Sequence, residues 1–279
     1  MSHAPSSLRL LGCTAACALA LTASARAQDF VATDDGVARL ALVDGWRDAE
    51  GRVTAGIDLR LAPGWHTYWR VPGDVGVAPV FDWSESTNLA AVTYSWPIPK
   101  IFDIDGFRSI GYSDRLLLPV VLTPRDPSRP IEAALDLAFG VCDEVCMLAS
   151  VEITRDFGPA PDAAAAPDRI RAALANQPRT AREAGVASVT CAFAPGPNWI
   201  EITTRVTFDQ PPAGDPVAVI EADAPDLWIG TPTSETRDRT VVSRALLEGA
   251  SGMIDRGGLR LTLLDAGRAV DIKGCAAAN

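Results

Sequence analysis

The stretch Val53-Thr54-Ala55-Gly56-Ile57-Asp58-Leu59-Arg60-Leu61 alternates apolar with other side chains along its whole length. Successive side chains of a β-strand point to opposite faces, so this alternation predicts a strand with one buried face. Similar runs on both sides of it predict ten more strands, at residues 37–43, 90–95, 116–122, 133–139, 149–155, 188–193, 199–208, 217–222, 240–247 and 259–264.

Turn residues separate these strands, as at Pro63-Gly64 and Pro72-Gly73-Asp74. Short strands at this density, with one helical pattern at 168–176, predict an all-β sandwich protein rather than alternating strands and helices. The composition changes after residue 157, where glycine, prolines and an alanine run begin. We therefore expect one sandwich domain at 28–157, a linker with a short helix at 158–186, and a second sandwich-like domain at 187–279.

Residues 1–27 have the pattern of a cleaved signal peptide. Arg9 precedes an apolar stretch at 10–21, and Ala25-Arg26-Ala27 fits the small-x-small cleavage rule. The apolar stretch is too short for a membrane anchor, and a lipid-modified cysteine would come too early. We therefore expect a mature chain that begins at Gln28 and resides in the periplasm.

The chain is acidic, with a formal net charge of −10 over 279 residues. Loss of Arg9 and Arg26 with the signal peptide brings this to −12. A protein this acidic does not follow a phosphate backbone without a localised basic patch, and the sequence shows none. Nucleic acid is therefore not an expected partner, and no motif predicts a cofactor.

Four cysteines remain in the mature chain: Cys142, Cys146, Cys191 and Cys275. An even number in an exported protein indicates two disulfides, and three pairings are open. Spacing favours Cys142–Cys146 and Cys191–Cys275. The second bond would close a loop of about 85 residues and stabilise the fold by about 4–5 kcal/mol, so we interpret it as structural.

The spacing of Cys142 and Cys146 indicates chemistry more than stabilisation. In a continuous strand their Cα atoms would lie about 13 Å apart, whereas a disulfide needs roughly 4.4–6.8 Å. The chain must therefore reverse or coil between them, and so small a ring adds little stability. Asp143 and Glu144 disfavour a thiolate, so we expect raised thiol pKa values and a disulfide that is attacked by a partner's thiolate.

Four motifs resemble one family. They are Gly64-Trp65-His66-Thr67-Tyr68-Trp69-Arg70-Val71-Pro72-Gly73-Asp74-Val75-Gly76, Trp96-Pro97-Ile98-Pro99, Gly111-Tyr112-Ser113-Asp114-Arg115-Leu116-Leu117-Leu118-Pro119-Val120, and Gly140-Val141-Cys142-Asp143-Glu144-Val145-Cys146. In this order they resemble the N-terminal periplasmic domain of the DsbD/ScsB thiol:disulfide interchange proteins. The resemblance covers about residues 38–155, and the ScsB-like branch carries a second sandwich after it.

The resemblance implies immunoglobulin-like sandwiches and a catalytic cysteine pair, Cys142 and Cys146. It also implies a cap over the sulfurs, with Phe102 or Phe107 as the covering ring and Asp103 and Asp105 as nearby acids. Because the chain shows neither a multi-span electron conduit nor a thioredoxin-like domain, we expect a membrane-embedded thiol electron donor on a separate chain. The expected acceptors are periplasmic thioredoxin-like or disulfide isomerase proteins. DsbD itself spaces its cysteines further apart, which leaves the geometry of the cap open.

Two alternatives stay open. A copper-binding or copper-tolerance protein could use Cys142, Cys146, Met147 and His66, since soft thiolates select Cu(I). A redox-inert sandwich could instead only dock partners. His66, the one histidine of the mature chain, is more readily interpreted as a packed turn residue, and Tyr68 and the other aromatic residues near it as core filling. Zinc would lack a fourth ligand, and no hydrolase motif is present.

Overall fold

The computed structural model describes residue 1 and residues 30–104, 106–158, 167–224, 227–249 and 254–278. The predicted signal peptide beyond residue 1, Asp105 and linker residues 159–166 lie outside the described residues. In the described ranges the longest helix has nine residues, and none meets the length and hydropathy of a bilayer-spanning segment.

The first half of the chain forms eleven strands: β1 (Val31–Ala32), β2 (Ala38–Arg47), β3 (Val53–Leu61), β4 (His66–Gly73), β5 (Val80–Asp82), β6 (Leu89–Tyr94), β7 (Lys100–Ile104), β8 (Phe107–Ser113), β9 (Arg115–Pro124), β10 (Ile131–Cys142) and β11 (Cys146–Phe157). The predicted strands of this half all lie within or overlap these bounds. Strands β1, β4, β5, β7 and β8 have no counterpart among the predictions.

The second half contains helix α1 (Pro167–Ala175) and ten strands: β12 (Arg179–Thr180), β13 (Val186–Pro195), β14 (Ile200–Phe208), β15 (Val217–Ala222), β16 (Trp228–Ile229), β17 (Thr233–Arg237), β18 (Thr240–Glu248), β19 (Leu259–Asp265), β20 (Arg268–Lys273) and β21 (Ala276–Ala277). The helix starts one residue earlier than the pattern predicts, with proline at its first position.

The strands build four sheets, two from each half. In the first half, the order β1-β2-β3-β9-β6 faces the order β11-β10-β4-β8-β7, with β5 added beside β10. In the second half, β12-β20-β19-β15 faces β16-β18-β14-β13-β21, with β17 added beside β18. Each pair encloses an apolar core, and the first core also includes Val219, Leu264 and Ala269 of the second half. The chain thus has the predicted all-β, immunoglobulin-like sandwich architecture.

Alternation explains the first core. Along β10, every second residue from Ile131 to Phe139 is almost fully buried, while the residues between them face outward. Strand β3 supplies Ile57 and Leu59 from the opposite sheet. Side chains of one parity therefore fill the space between the sheets, and the other parity is left for the surface or for a site.

Linker residues take part in both halves. Ile170 of α1 is fully buried against Ala41 and Val43 of the first sandwich. Residues 179–180 pair in parallel with β20 of the second sandwich, although the sequence places them in the linker. The division at 28–157, 158–186 and 187–279 stays a proposal.

A charged clamp joins the two halves beside the cysteine-bearing sheet. Arg70 of β4 donates through Nε and a terminal nitrogen to both carboxylate oxygens of Glu221, at 2.9 and 2.8 Å. Its guanidinium also lies 3.8 Å from the centre of the Trp69 ring. Paired hydrogen bonds to a carboxylate fix orientation as well as distance. Strand β4 is therefore held from the second half as well as within its own sheet.

Candidate functional site

Cys142 and Cys146 lie at the closed end of the β10–β11 hairpin. Twelve residue pairs run in unbroken register from Ile131↔Phe157 to Cys142↔Cys146, and Asp143 to Val145 form the turn. The chain therefore reverses between the cysteines, as their spacing requires. A disulfide joins them, with their Cα atoms 4.0 Å apart.

The two sulfurs differ in access. Cys142 ends the buried run of β10 and is 6% exposed, whereas Cys146 opens β11 as an exposed residue. Cys142 Sγ lies 3.6 Å from the carbonyl oxygen of Asp143, which is in the turn. A protein thiolate approaching from solvent therefore meets Cys146 first.

His66 extends the row of the two cysteines onto a third strand. In the register of β4 and β10 it stands directly opposite Cys142, so both side chains share one face of the sheet. His66 begins β4 and does not lie in a turn as the sequence interpretation has it, but it is 7% exposed, in line with its interpretation as a packed residue. Burial lowers the pKa of His66, and the charge of Asp143 partly offsets this effect.

Tyr68 reaches the other sulfur. Its Oη donates a hydrogen bond to Cys146 Sγ across 3.6 Å. Burial raises the pKa of Tyr68, which keeps the phenol protonated as a donor near neutral pH. Two glycines make room for the ring, because an added Cβ would lie 2.5 Å from it at Gly76 and 2.8 Å from it at Gly140. Thr67 further ties β4 to β10 by donating to the Gly140 carbonyl.

The residues predicted to form the cap lie in the β7–β8 hairpin. Phe102 of β7 stacks on His66 with ring centroids 4.6 Å apart, so of the two candidate rings it is the one that covers the site's histidine. Phe107 is largely exposed. Strand alternation turns Asp103 to the face opposite Phe102, away from the sulfurs. Asp105 lies outside the described residues, and the role of these four residues stays a prediction.

The acids nearest the bond are those of the hairpin turn. Asp143 and Glu144 are both exposed. An added Cβ at Gly64, whose φ is +89°, would lie 3.3 Å from the Asp143 carboxylate oxygens, so this glycine lets the acid pack beside the turn. Their predicted effect on the thiols stays a prediction, whereas the Asp143 charge does act on His66.

The copper alternative meets a geometric obstacle. His66, Cys142 and Cys146 form one row on one sheet face. Met147 follows Cys146 in β11 and therefore points to the opposite face. Within the described ranges, no three His, Cys, Asp or Glu side chains gather as a metal site.

A second disulfide, Cys191–Cys275, lies in the other sandwich. It joins residues 84 positions apart, and Cys191 is 2% exposed among the apolar side chains of that core. Strand β21, which follows Cys275 directly, pairs with β13 at Thr190 and Cys191. Its structural role stays a prediction that this setting supports.

Sequence reasoning does not identify Tyr68, Gly76 and Gly140 as parts of the site. It interprets Tyr68 as core filling, and the residue is indeed almost fully buried. All three residues lie in the quoted motifs, at 64–76 and 140–146. The motifs are a usable signal, but the contact between the ring and the sulfur depends on how β4 pairs with β10.

Comparisons with known proteins agree with this geometry. Residues 38–157 match the family model described as the N-terminal domain of the thiol:disulfide interchange protein DsbD. The crystal structure of the N-terminal periplasmic domain of ScsB from Proteus mirabilis has the same fold, with a TM-score of 0.67 and 22% identity over 90% of this chain and 98% of that one. No curated protein sequence matches the chain. The family match over residues 38–157 and the shared fold therefore support a DsbD/ScsB-type N-terminal domain in this part of the chain.

Proposed function

We propose that this protein is a periplasmic relay that passes electrons through Cys142 and Cys146. The donor is a membrane-embedded thiol protein on a separate chain, and the acceptors are periplasmic thioredoxin-like or disulfide isomerase proteins. The observation that carries the proposal is the disulfide at the exposed tip of a hairpin, with one accessible and one buried sulfur.

Reduction proceeds by two exchanges. The donor's thiolate attacks Cys146 Sγ, forms a mixed disulfide, and breaks the bond to Cys142, which leaves as a thiolate and takes up a proton. The donor's second thiolate then attacks the donor's first sulfur, which is bonded to Cys146 in the mixed disulfide. Cys146 leaves as a thiolate. The donor is oxidised to a disulfide, and the relay gains two electrons.

Delivery runs the same steps in reverse. The Cys146 thiolate attacks the acceptor's disulfide, and the acceptor's leaving sulfur takes up a proton. The Cys142 thiolate next attacks Cys146, which restores the Cys142–Cys146 bond and releases the reduced acceptor. Because Cys142 lies directly across the hairpin from Cys146, this second step needs no large movement of the backbone.

The residues around the Cys142–Cys146 bond have different roles in the proposed exchange. The Tyr68 hydroxyl donates to Cys146 and is placed to stabilise negative charge on the sulfur that attacks and is attacked. Phe102 stacks on His66, which stands opposite the buried Cys142, so small oxidants reach Cys146 more easily than Cys142. The turn acids disfavour free thiolates, which suits a bond that reacts when a partner docks.

Trapping tests the proposal. The Cys142→Ser variant keeps the accessible sulfur without its resolving partner, so we expect it to collect reductant-sensitive mixed disulfides in periplasmic extracts. Cys146→Ser is the matched control, because its remaining thiol is buried, and we expect it to collect several-fold fewer.

The reduction potential gives the second readout. Equilibration of the wild-type protein with glutathione buffers, followed by alkylation and mass spectrometry, measures it. Absence of trapped partners together with a potential well below about −300 mV would make the Cys142–Cys146 bond structural and end the proposal.

A further inference from the structure

The solvent-facing side of β5, β10 and β11, named here the outer face, carries three kinds of residues in order. The disulfide lies at one end. Next come Gly140 beside Leu148, then Val80 beside Ala138 and Ser150, and then Asp136 between Asp82 and Glu152. Register partners in neighbouring strands share a face, so these residues form consecutive rows of one surface.

The rows next to the disulfide are apolar and exposed. Leu148 is 69% exposed and Val80 is 63% exposed. Val77 lies over the same rows, with its Cβ 3.2 Å from the position that a Cβ on Gly140 would take. Exposed apolar side chains that cluster beside a reactive group indicate an interaction site more than chance surface composition.

The following row brings three carboxylates together. Asp136 stands directly opposite Asp82 on one side and directly opposite Glu152 on the other. All three are exposed, and among the described residues no salt bridge neutralises any of them. Like charges directly opposite in a sheet are destabilising. A groove of about 330 Å³, which Glu85 also lines, opens beside this row.

From this order of rows we infer that the outer face is the docking surface for a thiol-bearing redox partner. The partner has apolar side chains around its thiol, named here its apolar collar, and a basic patch. The inference rests on the proposed function and adds the chemistry of the partner. A basic patch relieves the repulsion among Asp82, Asp136 and Glu152, and the collar covers Leu148 and Val80. A second copy of this acidic chain offers no such complement.

The dimensions fit a protein contact. Cys142 and Asp136 are six positions apart along β10, which corresponds to about 20 Å in a strand. A standard interface covers about 800 Å² on each partner, so its footprint reaches from the disulfide to the acidic row. The partner therefore carries lysines or arginines about 20 Å from its reactive thiol.

Defined thiol peptides test the inference. One probe has a single cysteine, two leucines and a lysine cluster about six residues from the thiol, and its twin has glutamates in place of the lysines. The measurement is the rate at which each peptide, in excess, opens the Cys142–Cys146 bond of the full chain: the first peptide thiol forms a mixed disulfide and frees one protein thiol, and a second peptide thiol completes the reduction and leaves as the peptide disulfide. Each rate is divided by that peptide's rate with bis(2-hydroxyethyl) disulfide, which corrects for the reactivity of the peptide thiol. It is also divided by the rate of dithiothreitol with the same protein variant, which corrects for the reactivity of the bond. In about 0.1 M salt we expect the lysine peptide to be about tenfold faster, and in about 1 M salt the advantage is lost.

Matched variants locate the effect. Asp136→Asn/Glu152→Gln should reduce the lysine advantage to about twofold. The control Glu132→Gln/Asp156→Asn removes the same charge from another directly opposite pair of the same strands, about 33 Å from Cys142, and should leave the advantage in place. Leu148→Ser should slow both peptides several-fold, whereas Leu246→Ser, at an exposed leucine of the second half, should not.

The outcomes separate the two proposals. If dithiothreitol and both peptides fail to reduce the bond, the proposed function fails. If dithiothreitol reduces it but the lysine peptide is no faster than its twin, the docking surface is refuted. The docking surface is also refuted if the acidic-row variant and its control behave alike, or if the glutamate peptide is preferred.

Discussion

The two disulfides of this protein have opposite settings. Cys142–Cys146 closes a three-residue turn at the tip of a hairpin, with Cys146 in solvent and polar groups of His66, Tyr68 and Asp143 around it. Cys191–Cys275 joins residues 84 positions apart, with Cys191 buried in an apolar core and Cys275 partly buried against it. Chain entropy gives the long loop most of the stabilising effect, and exposure gives the short loop most of the reactivity.

This contrast gives physical criteria that distinguish a structural disulfide from a redox-active one. A bond that restrains the unfolded chain needs a long loop and no access, and a bond that exchanges needs access and neighbours that tune its sulfurs. In each of these two bonds, loop length, burial and the polarity of the surroundings agree with one another. Each prediction below alters one of these properties in one bond and uses the other bond, or an unaffected site, as its reference.

Loss of the long-range bond should have the largest effect on stability. We expect Cys191→Ala/Cys275→Ala to lower the free energy of unfolding of the second half by about 4–5 kcal/mol, and Cys142→Ala/Cys146→Ala to lower that of the first half by about 2 kcal/mol. Hydrogen exchange in increasing urea, read by mass spectrometry, separates the halves. Equal losses would remove the distinction between the bonds.

Reduction of the native protein should show the reverse order. With limiting dithiothreitol we expect Cys142–Cys146 to be reduced about 100-fold faster than Cys191–Cys275, because the latter opens only when its core does. Alkylation followed by mass spectrometry gives both rates. In strong denaturant the difference should disappear, and a native ratio near one would contradict the assigned roles.

Local sequence pattern predicts the two strands that flank the cysteines but not the strand that completes the site. Strand β3 matches its prediction residue for residue because its apolar and other residues alternate in sequence, although Gly56 and Asp58 on its second face are also buried. In β4, the four residues from His66 to Trp69 are all buried, so both faces are covered and no alternation marks the strand. The alternation rule fails for such strands, and the contact between Tyr68 and Cys146 depends on long-range pairing that local pattern does not encode.

The Tyr68 hydroxyl is the hydrogen-bond donor to Cys146 of the reactive bond. Removal of that donor in Tyr68→Phe should slow alkylation of reduced Cys146 near pH 7 by about 3- to 10-fold, since an intramolecular hydrogen bond contributes roughly 0.5–1.5 kcal/mol. Stopped-flow alkylation measures the rate.

Gly76→Ala should have a similar effect, because its Cβ would displace the ring. Gly36→Ala is the control, since it also has a positive φ but an open surrounding. An unchanged rate in Tyr68→Phe would show that the hydroxyl does not act on the thiolate.

The smallest expected effect concerns pH and His66. Burial lowers the pKa of His66 in the folded protein relative to the unfolded chain, so the folded state binds the proton less readily. The resulting contribution to stability is complete above the unfolded value of about 6.5 and is lost as the pH falls from there through the lowered folded pKa. His66→Gln should remove this slope from urea midpoints measured between about pH 7.5 and about pH 5, a range that spans the unfolded value.

Asp143 provides the internal check on that pH dependence. Its charge raises the pKa of His66 and so offsets part of the burial effect. Asp143→Asn should therefore lower the folded pKa of His66 further and widen the pH range over which stability is lost, because linkage follows the gap between the folded and unfolded values. Proton NMR titration of the imidazole measures the shift directly.

The Cys191–Cys275 half contains no described histidine, so its local unfolding should show no step in this range. A folded His66 that titrates at or above its unfolded value would mean that burial is not the dominant influence on the imidazole, and the setting assigned to the reactive bond would then be wrong.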